Sequence, residues 1–187
     1  MDQPDARFAG YYCSRVAEHP LHREHHDCEH GFSPRSDAGY LERLAWEIFQ
    51  PGLSWRLILE KRPILAELFA GFDAEQVASF GAGERRALLN HPQMIKHQRK
   101  IDAVIHNAGI FVRLKKQHGG FEGWLQTFEP QNLAALSGIM QKQFKFVGPS
   151  VAFEFLLGAG IVSGAHHPAC PIFPLIIEHN PWWAKQI

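Results

Sequence analysis

The stretch QRKIDAVIHNAGIFVRLKKQHGG, residues 98–120, constrains the fold more than any other part of the chain. Ile101, Val104, Ile105, Ala108 and Val112 recur at helical spacing, which puts them on one stripe of a helix. The pattern predicts a helix over about 98–116 that Gly119-Gly120 ends. Such a stripe must be buried against other elements. Period-two alternation, which would supply a sheet, is nearly absent, while the helical period recurs. Leu41, Leu44, Ala45 and Ile48 share a face, with Ser36 where an N-cap would stand. Asp73 suits the N-cap of AEQVASF, and Pro149 suits the first turn of SVAFEFLLGAG. Pro51-Gly52, Gly71, Gly81 and Pro92 mark short connections. There is no internal repeat and no low-complexity tract. The reading is a single all-α domain over residues 1–187, with roughly eight or more short helices. The tail PLIIEHNPWWAKQI is left unassigned.

A chain of 187 residues can bury a substantial core. No apolar run approaches the roughly 18–20 residues of a membrane span, and the start MDQPDARFAG is polar and acidic, unlike a secretory leader. Three cysteines, an odd count, point to a reducing cytoplasmic setting, with thiols used as ligands rather than in disulfides. The net charge of zero hides an asymmetry. Residues 1–84 carry 8 Lys/Arg against 14 Asp/Glu, whereas residues 85–116 carry 8 against Asp102 alone. A basic segment of that density attracts polyanions, and it also suits a solvated helix face.

Two constellations carry chemistry. HHPAC places His166 and Cys170 four apart, and Cys13 and His26 stand near the other end of the chain. Two thiols and two imidazoles suit a tetrahedral zinc ion, although the halves are not spaced as in a zinc finger. His19, His22, His25, His26 and His30 crowd together, and on residue type alone each is more simply read as a polar side chain at the surface. In WEIFQPGLSW, Glu47 lies inside an apolar, aromatic run between Trp46 and Trp55. Arg43, one turn before it, could form an exposed ion pair worth a few tenths of a kcal/mol. On a helical wheel, however, Glu47 borders the apolar stripe beside Tyr40 and Leu44.

Several stretches together resemble the DNA-3-methyladenine glycosylase I (TAG) family of the helix-hairpin-helix superfamily. They are CSRVAEHPLHREHHDCEHG (Cys13 to Gly31), EIFQPGLSW (Glu47 to Trp55), NHPQMIKHQRKIDAVIHNA (Asn90 to Ala108), FKFVGPS (Phe144 to Ser150) and the His166/Cys170 pair. They occur in the family's order across most of residues 13–170.

The resemblance implies a helix-hairpin-helix glycosylase-like fold, with the hairpin segment at about 84–116. A structural zinc ion held by Cys13, His26, His166 and Cys170 would tie segments 13–30 and 160–172 together. Cys28 is then a spare, partly buried thiol. The implied activity is hydrolysis of the N-glycosidic bond of 3-methyladenine in alkylated double-stranded DNA, after extrusion of the base. The sequence offers no clear oligomeric interface, so a monomer is the default. Glu47 aligns with the family's recognition glutamate, the catalytic-site acid, and Trp55 with its stacking tryptophan. Lys96, His97, Arg99 and Lys100 near the hairpin, with Lys145 and Ser150 as a second group, are the implied DNA contacts.

The chain departs from the family at four places, one of them the stretch between Pro130 and Phe144, which is shorter than the family's usual Thr/Ser-rich connection. The tyrosine before the zinc histidine is His25, and the tryptophan four residues after it is His30. Both are implied substrate contacts. The hairpin glycine is Gln93, which would be strained if that position needs a positive φ. The departures keep open a non-catalytic, zinc-stabilised protein that binds DNA or a modified nucleobase. A third reading is a metallohydrolase, because His25-His26-Asp27 resembles the His-Asp pair of HD-type phosphohydrolases.

Overall fold

A computed structural model describes residues 10–16, 19–128 and 132–186 of the chain. Among them are ten α-helices and no strand, as the periodicity predicts. In chain order the helices are α1 (Pro20–Cys28), α2 (Asp37–Phe49), α3 (Trp55–Leu68), α4 (Ala74–Ala78), α5 (Ala82–Asn90), α6 (Gln98–His118), α7 (Phe121–Leu125), α8 (Leu133–Gln143), α9 (Pro149–Gly158) and α10 (Phe173–Glu178). The described chain forms two compact units. A central unit comprises residues 34–153, and a terminal unit comprises the two chain ends up to Ser33 and from Glu154 onward.

The central unit is organised around α6. Ile101, Val104, Ala108 and Phe111 of its stripe are fully buried, and α2, α4, α5 and α7 pack against it. Its start is capped by His97, whose Nδ1 accepts the Lys100 amide at 3.3 Å. At its end Gly119 takes φ 80° and donates to the Lys115 carbonyl, so a residue with no Cβ is needed there. The helix runs to His118, two residues past the sequence estimate, and the Lys115 and Lys116 charges in its last turn suit its C-terminal dipole. Phe111 and Phe121 stack with ring centroids 5.2 Å apart, and Phe144 closes on both. Asp37 fixes the start of α7, its Oδ1 accepting the Phe121 amide at 2.9 Å.

The capping predictions hold. Ser36 caps α2, and Asp73 caps α4. Pro149 opens α9. Gln93 lies outside the left-handed region that Ala70, Phe72, Phe146 and Asn180 occupy. The hairpin between α5 and α6 therefore accommodates a side chain there without strain. It closes instead through Met94, buried beneath it, whose amide donates to the His91 carbonyl.

The terminal unit contains α1, a 3-10 turn at Tyr12–Arg15, the end of α9, α10 and a 3-10 turn at Trp182–Gln186. The unassigned tail thus folds, and Trp182 is 1% exposed. Two glycines let main chains from opposite ends meet. Gly31, at φ 82°, donates to the Gly158 carbonyl at 2.8 Å, and a Cβ on it would strike Ala165 and the His166 ring. Gly160, at φ 61°, lies so close to the Gly31 carbonyl that a Cβ has no room. No helix of the described residues is long and apolar enough to cross a membrane.

Candidate functional site

In the terminal unit, the backbone crossing at Gly31 brings together residues that are far apart in sequence. Cys13 sits in the first 3-10 turn, His26 in the last turn of α1, and His166 and Cys170 in the loop before α10. All four are buried, and their ligand atoms lie within 4.8 Å of one another. Cys13 Sγ is 3.7 Å from His166 Nδ1, which is 3.5 Å from Cys170 Sγ, and that sulfur is 3.5 Å from His26 Nε2. A tetrahedral ion with zinc–sulfur bonds of about 2.3 Å and zinc–nitrogen bonds of about 2.0–2.1 Å would separate sulfur from nitrogen by about 3.5 Å.

The remaining nitrogens support that geometry. His26 Nδ1 faces Asp27 Oδ1 at 2.7 Å, and His166 Nε2 donates to the His30 carbonyl at 2.8 Å. Each bond fixes the tautomer that leaves the inward nitrogen free to coordinate. Burial, and then the His26 charge, pull the His166 pKa down to about 4, so the ring is neutral as a ligand must be. Burial pushes the Cys13 thiol up to about 11, and a cation between the sulfurs is what makes a thiolate stable there. The cluster therefore fits a metal ion with no open position. A hydrolytic metal needs one, so the HD-type reading fails at this cluster. Cys28 is exposed, not partly buried as expected.

Around this cluster the substituted histidines are buried. His25 Nδ1 meets Glu29 Oε2 at 2.7 Å, and His30 is 8% exposed. Tyr12 lies against both, its ring 5.4 Å from His25 and 4.8 Å from His30, and its hydroxyl is 2.6 Å from His22 Nδ1. Tyr12 was not singled out from sequence. Its only signal there was its place beside Cys13.

In the central unit, Glu47 stands in the last turn of α2, half-buried. A carboxylate at that end opposes the helix dipole. Its neighbour Trp46 is covered by two guanidinium groups, Arg43 at 5.5 Å and Arg62 at 5.0 Å. Residues 50–54 then turn the chain. Gly52 takes φ 88°, Leu53 donates to the Gln50 carbonyl at 2.7 Å, and Gln50 Nε2 returns a bond to the Leu53 carbonyl. Ser54 caps α3, and Trp55 is its first residue. The motif thus places Glu47 in the last turn of one helix and Trp55 at the start of the next, the two joined by a tight, internally bonded turn.

Lys100 corrects one expectation. It was read as a DNA contact, but its side chain is buried, 5% exposed, and its Nζ donates to the Phe49 and Pro51 carbonyls at 2.8 Å each. An ammonium there satisfies the last carbonyl of α2 and one in the turn after it, and offsets the dipole against which Glu47 is placed. Burial lowers its pKa. Lys100→Met should leave two carbonyls without donors and cost about 2–3 kcal/mol in denaturant unfolding. Unfolding unchanged to within about 0.5 kcal/mol would show that the bonds hold nothing. The other hairpin residues, Lys96, His97 and Arg99, are exposed, as are Lys145 and Ser150.

Comparison with known proteins agrees with this architecture. The methyladenine glycosylase family model matches residues 15–135. The DNA-3-methyladenine glycosylase 1 of Escherichia coli strain K12 is 28% identical over 181 residues, covering 87% of this chain and 96% of the relative. The DNA-3-methyladenine glycosylase of Haemophilus influenzae strain Rd is 27% identical over 179 residues, covering 85% and 96%. A solved structure of 3-methyladenine DNA glycosylase I from Staphylococcus aureus, concerned with 3-methyladenine recognition, superposes with a TM-score of 0.72 at 26% identity, over 83% of this chain and 92% of that one. With most of the central unit inside the matched segment and the helical architecture shared, the chain belongs to the methyladenine glycosylase family.

Proposed function

We propose that this protein is a base-excision repair enzyme that removes 3-methyladenine from alkylated double-stranded DNA by hydrolysing the N-glycosidic bond. The observation that carries the reading is the placement of Glu47. An acid sits against the dipole at the end of α2, beside a turn that delivers Trp55, with a buried lysine holding the turn. A stability role would not favour an acid at that end of a helix.

The chemistry fits these groups. Methylation at N3 makes adenine cationic, so it is already a good leaving group and the transition state is oxocarbenium-like. Trp55 offers a face for cation–π attraction. Glu47 is the acceptor for the exocyclic amine, and a base without that donor leaves the carboxylate unpaired. His25 and His30 are the proposed substrate-contact residues of the terminal unit. Lys96, His97 and Arg99, with Lys145 and Ser150, are the proposed phosphate contacts, holding the backbone of DNA whose damaged base is drawn from the stack. The metal is proposed to be a structural zinc ion held by Cys13, His26, His166 and Cys170. The enzyme is assigned as a cytoplasmic monomer.

The test is abasic-site formation. Plasmid treated with a methylating agent, incubated with the metal-loaded protein and then with mild alkali, should be nicked in proportion to enzyme and time. Binding to the plasmid without nicking would instead favour a non-catalytic nucleobase-binding protein, which the changes at His25 and His30 keep in view.

A further inference from the structure

The loop between α8 and α9 has a feature that the proposed phosphate contacts do not explain. Phe144 and Val147 are buried at 4% and 5% exposure, while Phe146 between them is 38% exposed and has a φ of 61°. The left-handed region is costly for a bulky residue, and such strain persists only where the surroundings enforce it. Here Asn107 enforces it. Its side chain is fully buried on α6, its Oδ1 accepts the Lys145 amide at 2.9 Å, and its Nδ2 donates to the Lys145 carbonyl at 3.0 Å. Both backbone groups of the preceding residue are clamped, so Phe146 is held outward.

What surrounds the exposed ring is cationic. The Arg99 guanidinium lies 5.4 Å from its centroid, and the His97 ring meets it edge-on at 6.1 Å and 74°. Lys145 is exposed beside it. His106, two turns beyond Arg99 on α6, has its pKa lowered by burial and then by the Lys145 and Arg113 charges, which marks a positive field. An aromatic face set among cations matches a ligand that combines a flat ring with a phosphate, as each nucleotide of a DNA strand does.

We propose that Phe146 is a stacking contact for a nucleobase of the substrate DNA that is unstacked beside the extruded base, with Asn107 as its positioning residue. The inference rests on the proposed glycosylase reading. It adds a contact whose energy comes from stacking rather than from charge.

The experiment uses the full, metal-loaded protein and a duplex carrying a tetrahydrofuran abasic-site analogue, with 2-aminopurine placed in turn at each neighbouring position. Wild-type protein should quench the fluorescence at one position. Phe146→Ala should lose that quench and bind about tenfold more weakly, with the salt dependence of binding unchanged. Phe146→Trp should keep both. Lys145→Ala should instead reduce the salt slope by about 1 and leave the quench intact. Phe146→Gly, which relieves the strained φ, should melt no lower than wild type, so its weaker binding could not be assigned to misfolding. If wild type forms abasic sites and Phe146→Ala binds and quenches as wild type does, the stacking proposal alone is overturned. If wild type neither binds this duplex nor forms abasic sites, the glycosylase reading falls, and the stacking contact with it.

Discussion

Cys170→Ala should abolish metal binding and lower the thermal midpoint by about 10 °C. Cys170 is the hub of the cluster, 3.5 Å from both His166 Nδ1 and His26 Nε2. Its loss leaves three ligands, of which the Cys13 thiol is already held protonated by burial. A metal present at a thousandfold over its dissociation constant stabilises by about 4 kcal/mol. In a chain of this size each kcal/mol moves the midpoint by about 2–4 °C. Chelation of wild type should reproduce the shift, and added zinc should reverse it. Acid should act in the same direction. In the metal-free protein, His166 takes a proton near pH 6.5 when unfolded but only near 4 when folded. The stability it contributes is therefore complete above about pH 6.5 and is lost as pH falls towards 4, an effect of up to ~3 kcal/mol. A metal content near one per chain in wild type and zero in Cys170→Ala, by plasma mass spectrometry, is the expected pair of values. Equal melting temperatures for the two proteins would refute the structural role.

Glu47→Gln should fold normally, retain its metal and lose about a hundredfold in kcat/KM for base release. The substitution keeps the shape but removes the charge and places a donor where the amine of adenine needs an acceptor. A hydrogen bond to a charged group is worth about 1.5–3 kcal/mol, equivalent to roughly ten- to a hundredfold in rate. Loss of attraction to the cationic base pushes the result to the upper end. Because Glu47 opposes the α2 dipole, the neutral variant should also be no less stable than wild type. Less activity with undiminished stability separates a recognition acid from a structural one. A surface partner of Arg43 would change neither quantity by more than a few tenths of a kcal/mol.

The periodic elements were readable because the stripe of α6, the Ser36 and Asp73 caps and the Gly119 stop are local signals. The four residues of the Cys/His cluster are legible as residue types and through the resemblance. Their meeting was not, because it depends on the Gly31 and Gly160 backbone crossing, which joins residues more than a hundred apart. Lys100 reads as a phosphate contact in the sequence because it is a cation in a basic segment beside the hairpin. The clue was its register. It shares a face with Val104, Asn107 and Phe111, all buried, so its charge had to find partners inside the protein. Asn107 carried the same clue. Polar residues on an apolar stripe are the positions where the helix holds a neighbouring loop. The tail could not be assigned because it has no caps or sustained period. Trp182 is fixed by bonds from its amide to the Gly160 carbonyl and Ser33 Oγ, which no local pattern encodes.

In the proposed reaction, Glu47 and Trp55 select a cationic methylated adenine for hydrolysis. The most direct measurement is chromatography of the free bases released from methylated DNA by wild type and by Glu47→Gln under single-turnover conditions. The account predicts that wild type releases 3-methyladenine and leaves 7-methylguanine in the DNA, and that Glu47→Gln releases 3-methyladenine about a hundredfold more slowly. Equal release by the two proteins, or no 3-methyladenine from folded, metal-loaded wild type, would contradict it.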